Sequence, residues 1–298
     1  MKIKQFKIFE IHNYYFLTCS IYILLYIFIT PPFYVADEYS HFQKSASNEN
    51  IYLRGSLKVD SGIKKFSDDF EKLALHKWSK DRDYKYSNIL ILNENNNYEI
   101  EGFLTSANLA GLGGYPVSGY FVTKISNIIT KIFTNDVIKI FYLGRISNFI
   151  FCIIVCWLVI KSIPVGKEYL FVILSMPMTL TLFGSYNQDA ILFSYTLLII
   201  YFANKIYQQS NNIETNLIFL QILSLFLIIG RPTYLTFLLL PLYLIINYSG
   251  LKYKQLLFFL IISLLAIIFI KTYPAPAISN TVNFPEYIIK IIDLICKD

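Results

Sequence analysis

Seven apolar runs, the last six separated by short loops, constrain this chain more than any other feature. They lie at Tyr14–Thr30, Ile140–Ile160, Glu168–Gly184, Ala190–Ala203, Leu217–Gly230, Thr233–Ile246 and Leu256–Ile270. About 20 helical residues cross roughly 30 Å of hydrocarbon, and several of these runs approach that length. Of the 298 residues, 55% are hydrophobic and only 15% are charged, with a mean hydropathy of +0.49. Water-soluble domains carry nearer to about 25% charged residues. Short alternating segments of the kind that build a transmembrane β-barrel are absent. The expected fold class is an all-α polytopic membrane protein with about seven transmembrane helices.

The net charge of +6 does not signal nucleic acid, because much of the basic excess lies in loops beside the runs, where it sets orientation. Lys2, Lys4 and Lys7 precede the first run as in a signal peptide, but that run is long and no small-x-small cleavage site follows it. It reads as an uncleaved first span. Cys19, Cys152 and Cys156 lie inside apolar runs and read as packing residues, while Cys296 lies near the C-terminus. Neither a disulfide framework nor zinc spacing is present. The richness in Ile, Asn, Lys, Tyr and Phe points to an AT-rich bacterial genome, hence to a bacterial cytoplasmic membrane.

Orientation follows from the lysines. With the N-terminus inside and 115–133 lying on the outer surface, Lys161, Lys167, Lys205, Lys252 and Lys254 all fall inside. If 115–133 crossed, they would all fall outside. The expected organisation is a cytoplasmic segment 1–13, a first helix 14–31, an extracytoplasmic loop 32–139, a bundle 140–271 and an extracytoplasmic tail 272–298. Within the loop, Phe66, Phe70, Leu73 and Trp78 recur at near-helical spacing. That predicts short amphipathic helices resting on the membrane face.

The chemistry-bearing residues gather at one end of these spans. Pro31-Pro32-Phe33-Tyr34-Val35-Ala36-Asp37-Glu38-Tyr39-Ser40-His41-Phe42 follows the first run directly. In a helix, His41 neighbours both Asp37 and Glu38. Such acids serve as a general base or as ligands to a divalent cation such as Mg²⁺ or Mn²⁺; the plainer reading is a pair of solvated loop acids. Arg145 lies inside the second run, where its fork suits phosphate, or where it snorkels to headgroups. Asp189 and Arg231, the latter followed by Tyr234, sit at the next two outer turns, as do Tyr273 and Pro274 after the last run. An N-terminal helix cap and an interfacial anchor are the plainer readings of Asp189 and Arg231. His12 and His76 have no evident partner.

At these residues the chain resembles the DUF2142 family of bacterial membrane proteins, which is similar to the GT-C superfamily of glycosyltransferases that use polyprenyl-phosphate sugars. The resemblance runs through residues 31–42, Gly114-Tyr115-Pro116, Gly144-Arg145-Ile146-Ser147-Asn148, Met176-Pro177-Met178, Ser185-Tyr186-Asn187-Gln188-Asp189 and Arg231-Pro232-Thr233-Tyr234. Tyr39 and Val117 stand where family members often have proline, and Arg231 stands where lysine is common. The resemblance implies a GT-C-like bundle with a large first outer loop. It makes Asp37 the base or metal-facing acid and Glu38 its partner. His41, Arg145, Asp189, Arg231 and Tyr234 complete the expected substrate site, the two arginines facing phosphate by their charge and depth. The expected activity is sugar transfer from a lipid-linked donor at the outer membrane face. The acceptor would be a surface glycan or its lipid-linked precursor, alongside polysaccharide-assembly partners. A flippase of lipid-linked sugars and a non-catalytic scaffold subunit are the alternatives.

Overall fold

A computed structural model describes residues 10–47, 57–78, 97–107, 117–208, 212–247 and 253–272. The N-terminal lysines, Gly114-Tyr115-Pro116, Lys252, and Tyr273, Pro274 and Cys296 in the tail lie outside them.

The bundle begins with α1 (Ile11–Ile29), which is apolar on all sides. Its buried stripe, Tyr15, Cys19, Ile23 and Ile27, repeats every four residues and faces the other helices. Phe16, Leu17, Leu24, Leu25 and Phe28 are exposed, as suits a lipid-facing surface. The long α5 (Val137–Ser162) starts where Asp136 accepts hydrogen bonds from Ile138 N and Lys139 N. Asn187 caps α8 (Gln188–Tyr207) by accepting from Asp189 N, and α9 (Ile213–Gly230) packs beside it. Among the described residues these four helices are long and apolar enough to cross a membrane.

Of the other three expected spans, two are broken helices and the last is a single helix. The run at 168–184 is two helices, α6 (Lys167–Leu174) and α7 (Pro177–Phe183), with Pro177 opening the second. Proline cannot donate to the preceding turn, and carbonyls freed in hydrocarbon need other donors. Tyr15 Oη donates to Leu174 O at 3.4 Å and Thr179 Oγ1 to Ile173 O at 3.4 Å. The run at 233–246 is a 3-10 helix (Pro232–Leu238) continuing into α10 (Leu239–Asn247), and α11 (Tyr253–Thr272) follows.

The long segment between α1 and the bundle folds into a cap. It contains α2 (Glu38–Ala46), β1 (Leu57–Asp60), α3 (Ser61–Trp78) and β2 (Leu104–Ala107). The strands pair antiparallel, Leu57 opposite Ala107 and Asp60 opposite Leu104, so the chain is not purely helical. The Asp60 carboxylate accepts from Gly62, Glu101 and Gly102 backbone N–H groups and fixes one end of the strand pair. Phe66 and Phe70 do not rest on the membrane face, as their spacing alone predicted. They are buried with Phe33, Phe42, Tyr98, Phe141 and Tyr186 in an aromatic core between the cap and the first turns of α5. Phe66 and Phe33 meet edge to face at 5.5 Å, and Phe42 and Phe141 at 5.1 Å.

A 3-10 turn (Val117–Tyr120) leads into α4 (Phe121–Phe133). At 13 residues, α4 is about 20 Å long, short of a crossing. Its amphipathicity is inverted. Thr123, Asn127 and Thr130 are buried, while Phe121, Ile125, Ile128, Ile129, Ile132 and Phe133 are 41–81% exposed. The polar face is matched by hydrogen bonds to α2: Ser45 Oγ to Thr123 Oγ1 at 2.8 Å, and Asn127 Nδ2 to Ser45 Oγ at 3.0 Å. α4 starts beside the end of α9, and three residues after it ends α5 begins.

Candidate functional site

The first acidic motif divides its two carboxylates between opposite environments. Glu38 and Arg145 are both 0% exposed. Arg145 Nε donates to Glu38 Oε1 at 2.9 Å and Nη2 to Oε2 at 2.6 Å, a two-pronged pair. Nη1 donates to Ile27 O and Thr30 O, and Nη2 also to Pro31 O. All five guanidinium N–H groups are thereby used. Glu38 also accepts from Phe33 N at 3.1 Å and Tyr186 N at 2.9 Å. The stacked ring of Phe141 covers the guanidinium, with Cζ 4.5 Å from the ring centre.

This geometry corrects two expectations. Arg145 retains no N–H group to offer a phosphate, and Glu38 no carboxylate oxygen to share with a metal ion. A divalent ion bridging Asp37 and Glu38 does not fit, because the counter-charge of Glu38 is already a guanidinium. Among the described residues no group of three His, Cys, Asp or Glu side chains is placed to hold a metal ion.

The same clamp explains why several weak motifs occur together. Gly144 makes room for Tyr186, whose hydroxyl would overlap any side chain there. Tyr186 Oη donates to Asn127 Oδ1 at 2.8 Å, and its ring stacks on Phe141 at 5.3 Å. Asn148 Nδ2 donates to Ser185 O at 2.8 Å. Thus Glu38, the segment 144–148 and the segment 185–187 are three sides of one buried polar joint.

Asp37, by contrast, is exposed; its carbonyl accepts from His41 N at 3.0 Å, but its carboxylate takes no hydrogen bond or ion pair among the described residues. It occupies the left-handed region with φ 62°, as does Phe33 with φ 64°. A residue other than glycine pays about 1 kcal/mol or more to stay there. The Phe33 conformation is held by its ring in the aromatic core and by its N–H on Glu38.

His41, one turn into α2, is 5% exposed. Its Nδ1 lies 2.6 Å from Tyr120 Oη, and Nε2 makes no hydrogen bond among the described residues. Burial pushes the imidazole down to about 4, against a smaller upward pull from Asp37 and with smaller downward pushes from Lys44 and Arg231. Lys44 is likewise pushed down, to about 7, by burial and then by Lys124. Arg231 Nη2 pairs with Asp189 Oδ1 at 2.6 Å, with side chains 35% and 43% exposed. Asp37, one turn before His41 on the chain, and Arg231 are both near enough for their charges to bear on the His41 ring, and with Asp189 they form the rim of the candidate site. Tyr234 is different: its ring packs on the bundle core, edge-on to Phe237 at 5.9 Å, so the structure gives it a packing role.

Sequence reasoning did not single out Tyr120, Asn127 or Tyr186 as functional groups. Tyr186 lay inside a motif already quoted, but nothing local marked Tyr120 as the partner of a histidine 79 positions away.

A family profile described as "Predicted membrane protein (DUF2142)" matches residues 20–286. Neither curated proteins nor solved structures give a match.

Proposed function

The chain belongs to the DUF2142 family of predicted membrane proteins, and from that premise we propose that it is a glycosyltransferase of the bacterial cytoplasmic membrane, using a polyprenyl-phosphate-linked sugar at the outer face. The observation that carries this reading is the exposed carboxylate of Asp37, unpaired among the described residues and one helical turn before His41, together with the half-exposed Arg231–Asp189 pair. A hydroxyl of the acceptor glycan would give its proton to Asp37 while its oxygen bonds to the anomeric carbon of the donor. The bond from that carbon to the phosphate oxygen breaks, and the lipid phosphate leaves with the electron pair. Arg231, paired with Asp189, is the cation that would meet that charge. Glu38 and Arg145 serve by holding α1, α2 and α5 in register. The lipid tail of the donor has an apolar surface available in the exposed face of α4.

The test is Asp37→Asn in cells, with protein level measured in the membrane. Loss of a surface polysaccharide, or accumulation of its lipid-linked precursor, at normal protein level supports the reading. An unchanged glycan removes Asp37 from the chemistry and brings a flippase or a scaffold subunit forward.

A further inference from the structure

The rim holds one detail that the glycosyl-transfer reading leaves unused, the short contact between His41 Nδ1 and Tyr120 Oη at 2.6 Å. Its geometry is built. Tyr120 is 3% exposed and ends the 3-10 turn. Tyr195 Oη donates to Ser118 O in that turn at 3.0 Å, and Thr123 Oγ1 donates to Tyr120 O at 3.1 Å. Ser45, one turn beyond His41, binds Thr123 and Asn127. The distance between α2 and α4 at this level is therefore fixed by several bonds, and the histidine–tyrosine pair lies within that frame.

We infer that Tyr120 is a positioning residue for His41: its hydroxyl donates to Nδ1, keeps the imidazole hydrogen on Nε2, and so presents Nε2–H as a hydrogen-bond donor one helical turn from Asp37. A donor on His41 and an acceptor on Asp37 are a pair that a single hydroxyl satisfies, since it accepts from one and donates to the other. The inference rests on the proposed glycosyl transfer for the identity of that hydroxyl, the acceptor's nucleophile, but not for the tautomer. Electrostatics favour the same arrangement. The groups whose charges bear on His41 are Asp37, Lys44 and Arg231. Burial outweighs the attraction of Asp37 and keeps the ring neutral at pH 7. It then forms no ion pair with Asp37, and the carboxylate stays free to take a proton.

The tautomer is read by nitrogen NMR on the intact protein in detergent micelles at pH 7, with ¹⁵N-labelled histidine. The chain has three histidines, and His41→Gln identifies the signal. The expected wild-type result is a single Nε2–H form. Tyr120→Phe, which removes one hydroxyl, is expected to shift the tautomer ratio toward Nδ1–H by about fivefold or more. A wild-type Nδ1–H form overturns the inference, as does a ratio unmoved by Tyr120→Phe. If Tyr120→Phe does not accumulate, the wild-type spectrum alone decides. In the glycan measurement, Tyr120→Phe and His41→Gln are expected to reduce product separately, and the double variant to be no worse than His41→Gln. Additive losses overturn the claim that Tyr120 acts through His41. An Nε2–H form that responds to Tyr120→Phe, with a glycan indifferent to Asp37→Asn, leaves the positioning role in place and refutes glycosyl transfer.

Discussion

Arg145 Nη2 lies 2.6 Å from Glu38 Oε2 with neither side chain exposed, and this contact ties α5 to the start of α2. The remaining donors of Arg145 reach Ile27, Thr30 and Pro31 carbonyls. The last carbonyls of a helix have no partner within it and attract a cation. One side chain thus closes a helix terminus, neutralises a buried acid and sets the register of the cap on the bundle.

Removing one member of that pair leaves the other charge buried. Glu38→Ala is expected to cost about 3–5 kcal/mol, seen as a lower melting temperature in detergent and poor accumulation in the membrane. Arg145→Lys keeps the charge but loses the planar fork, and is expected to cost on the order of 2 kcal/mol. The double change of Glu38→Ala with Arg145→Met should cost less than the two singles added. A Glu38→Ala protein that melts like wild type would refute the clamp.

Asp37 should show the opposite behaviour. Its φ of 62° is strained for aspartate and easy for glycine. Asp37→Gly is expected to raise stability by up to about 1 kcal/mol, while abolishing glycan transfer. Asp37→Asn tolerates the same backbone and should leave stability near wild type. Thermal melts and glycan analysis on the same variants separate the two effects.

The Asp189–Arg231 pair is partly solvated, so its stabilising contribution is small. Asp189→Asn and Arg231→Gln are each expected to change stability by less than about 1 kcal/mol. Arg231→Gln is expected to reduce glycan product by about 10-fold or more, the loss of one charge-stabilising group. A full product level would take Arg231 out of the reaction.

Acid should weaken the cap. His41 titrates near 4 when folded and near 6.5 when unfolded. Between those values the unfolded chain binds more protons, so stability falls as pH falls. The contribution is complete above pH 6.5 and lost on passing below 4, about 3 kcal/mol in all. Lys44, near 7 when folded against 10.5 unfolded, acts in the same direction at higher pH. The melting temperature is expected to be lower at pH 5 than at pH 8, and His41→Gln should flatten the part below 6.5.

Gly144→Ala places a methyl group where the Tyr186 hydroxyl sits. Tyr186 is held by Asn127, Phe141 and Phe42 and cannot withdraw cheaply. A loss of about 3 kcal/mol or more is expected, from overpacking and a displaced buried hydroxyl. Reduced accumulation relieved by Tyr186→Phe would locate the clash.

The apolar runs by themselves determined that this is a helical membrane chain, because hydrocarbon demands uninterrupted apolar helices and composition reports that directly. They also marked the end of the bundle where the polar residues gather, since loops between spans fall alternately on two sides. The break at Ser175-Met176-Pro177 was readable in principle from the proline, but the length of the run concealed it. What only the tertiary structure decided is the division of labour among those polar residues. Asp37 and Glu38 are adjacent, chemically alike and equally plausible as a base. One ends exposed and strained, the other sealed against Arg145, because 107 positions later a guanidinium arrives at the depth of one carboxylate and not the other. Periodicity reports which face of a helix is apolar; it carries no information about which distant side chain will meet a given charge. For the same reason the inverted face of α4, and Tyr120 beside His41, emerge only when α2, α4 and α5 are packed together.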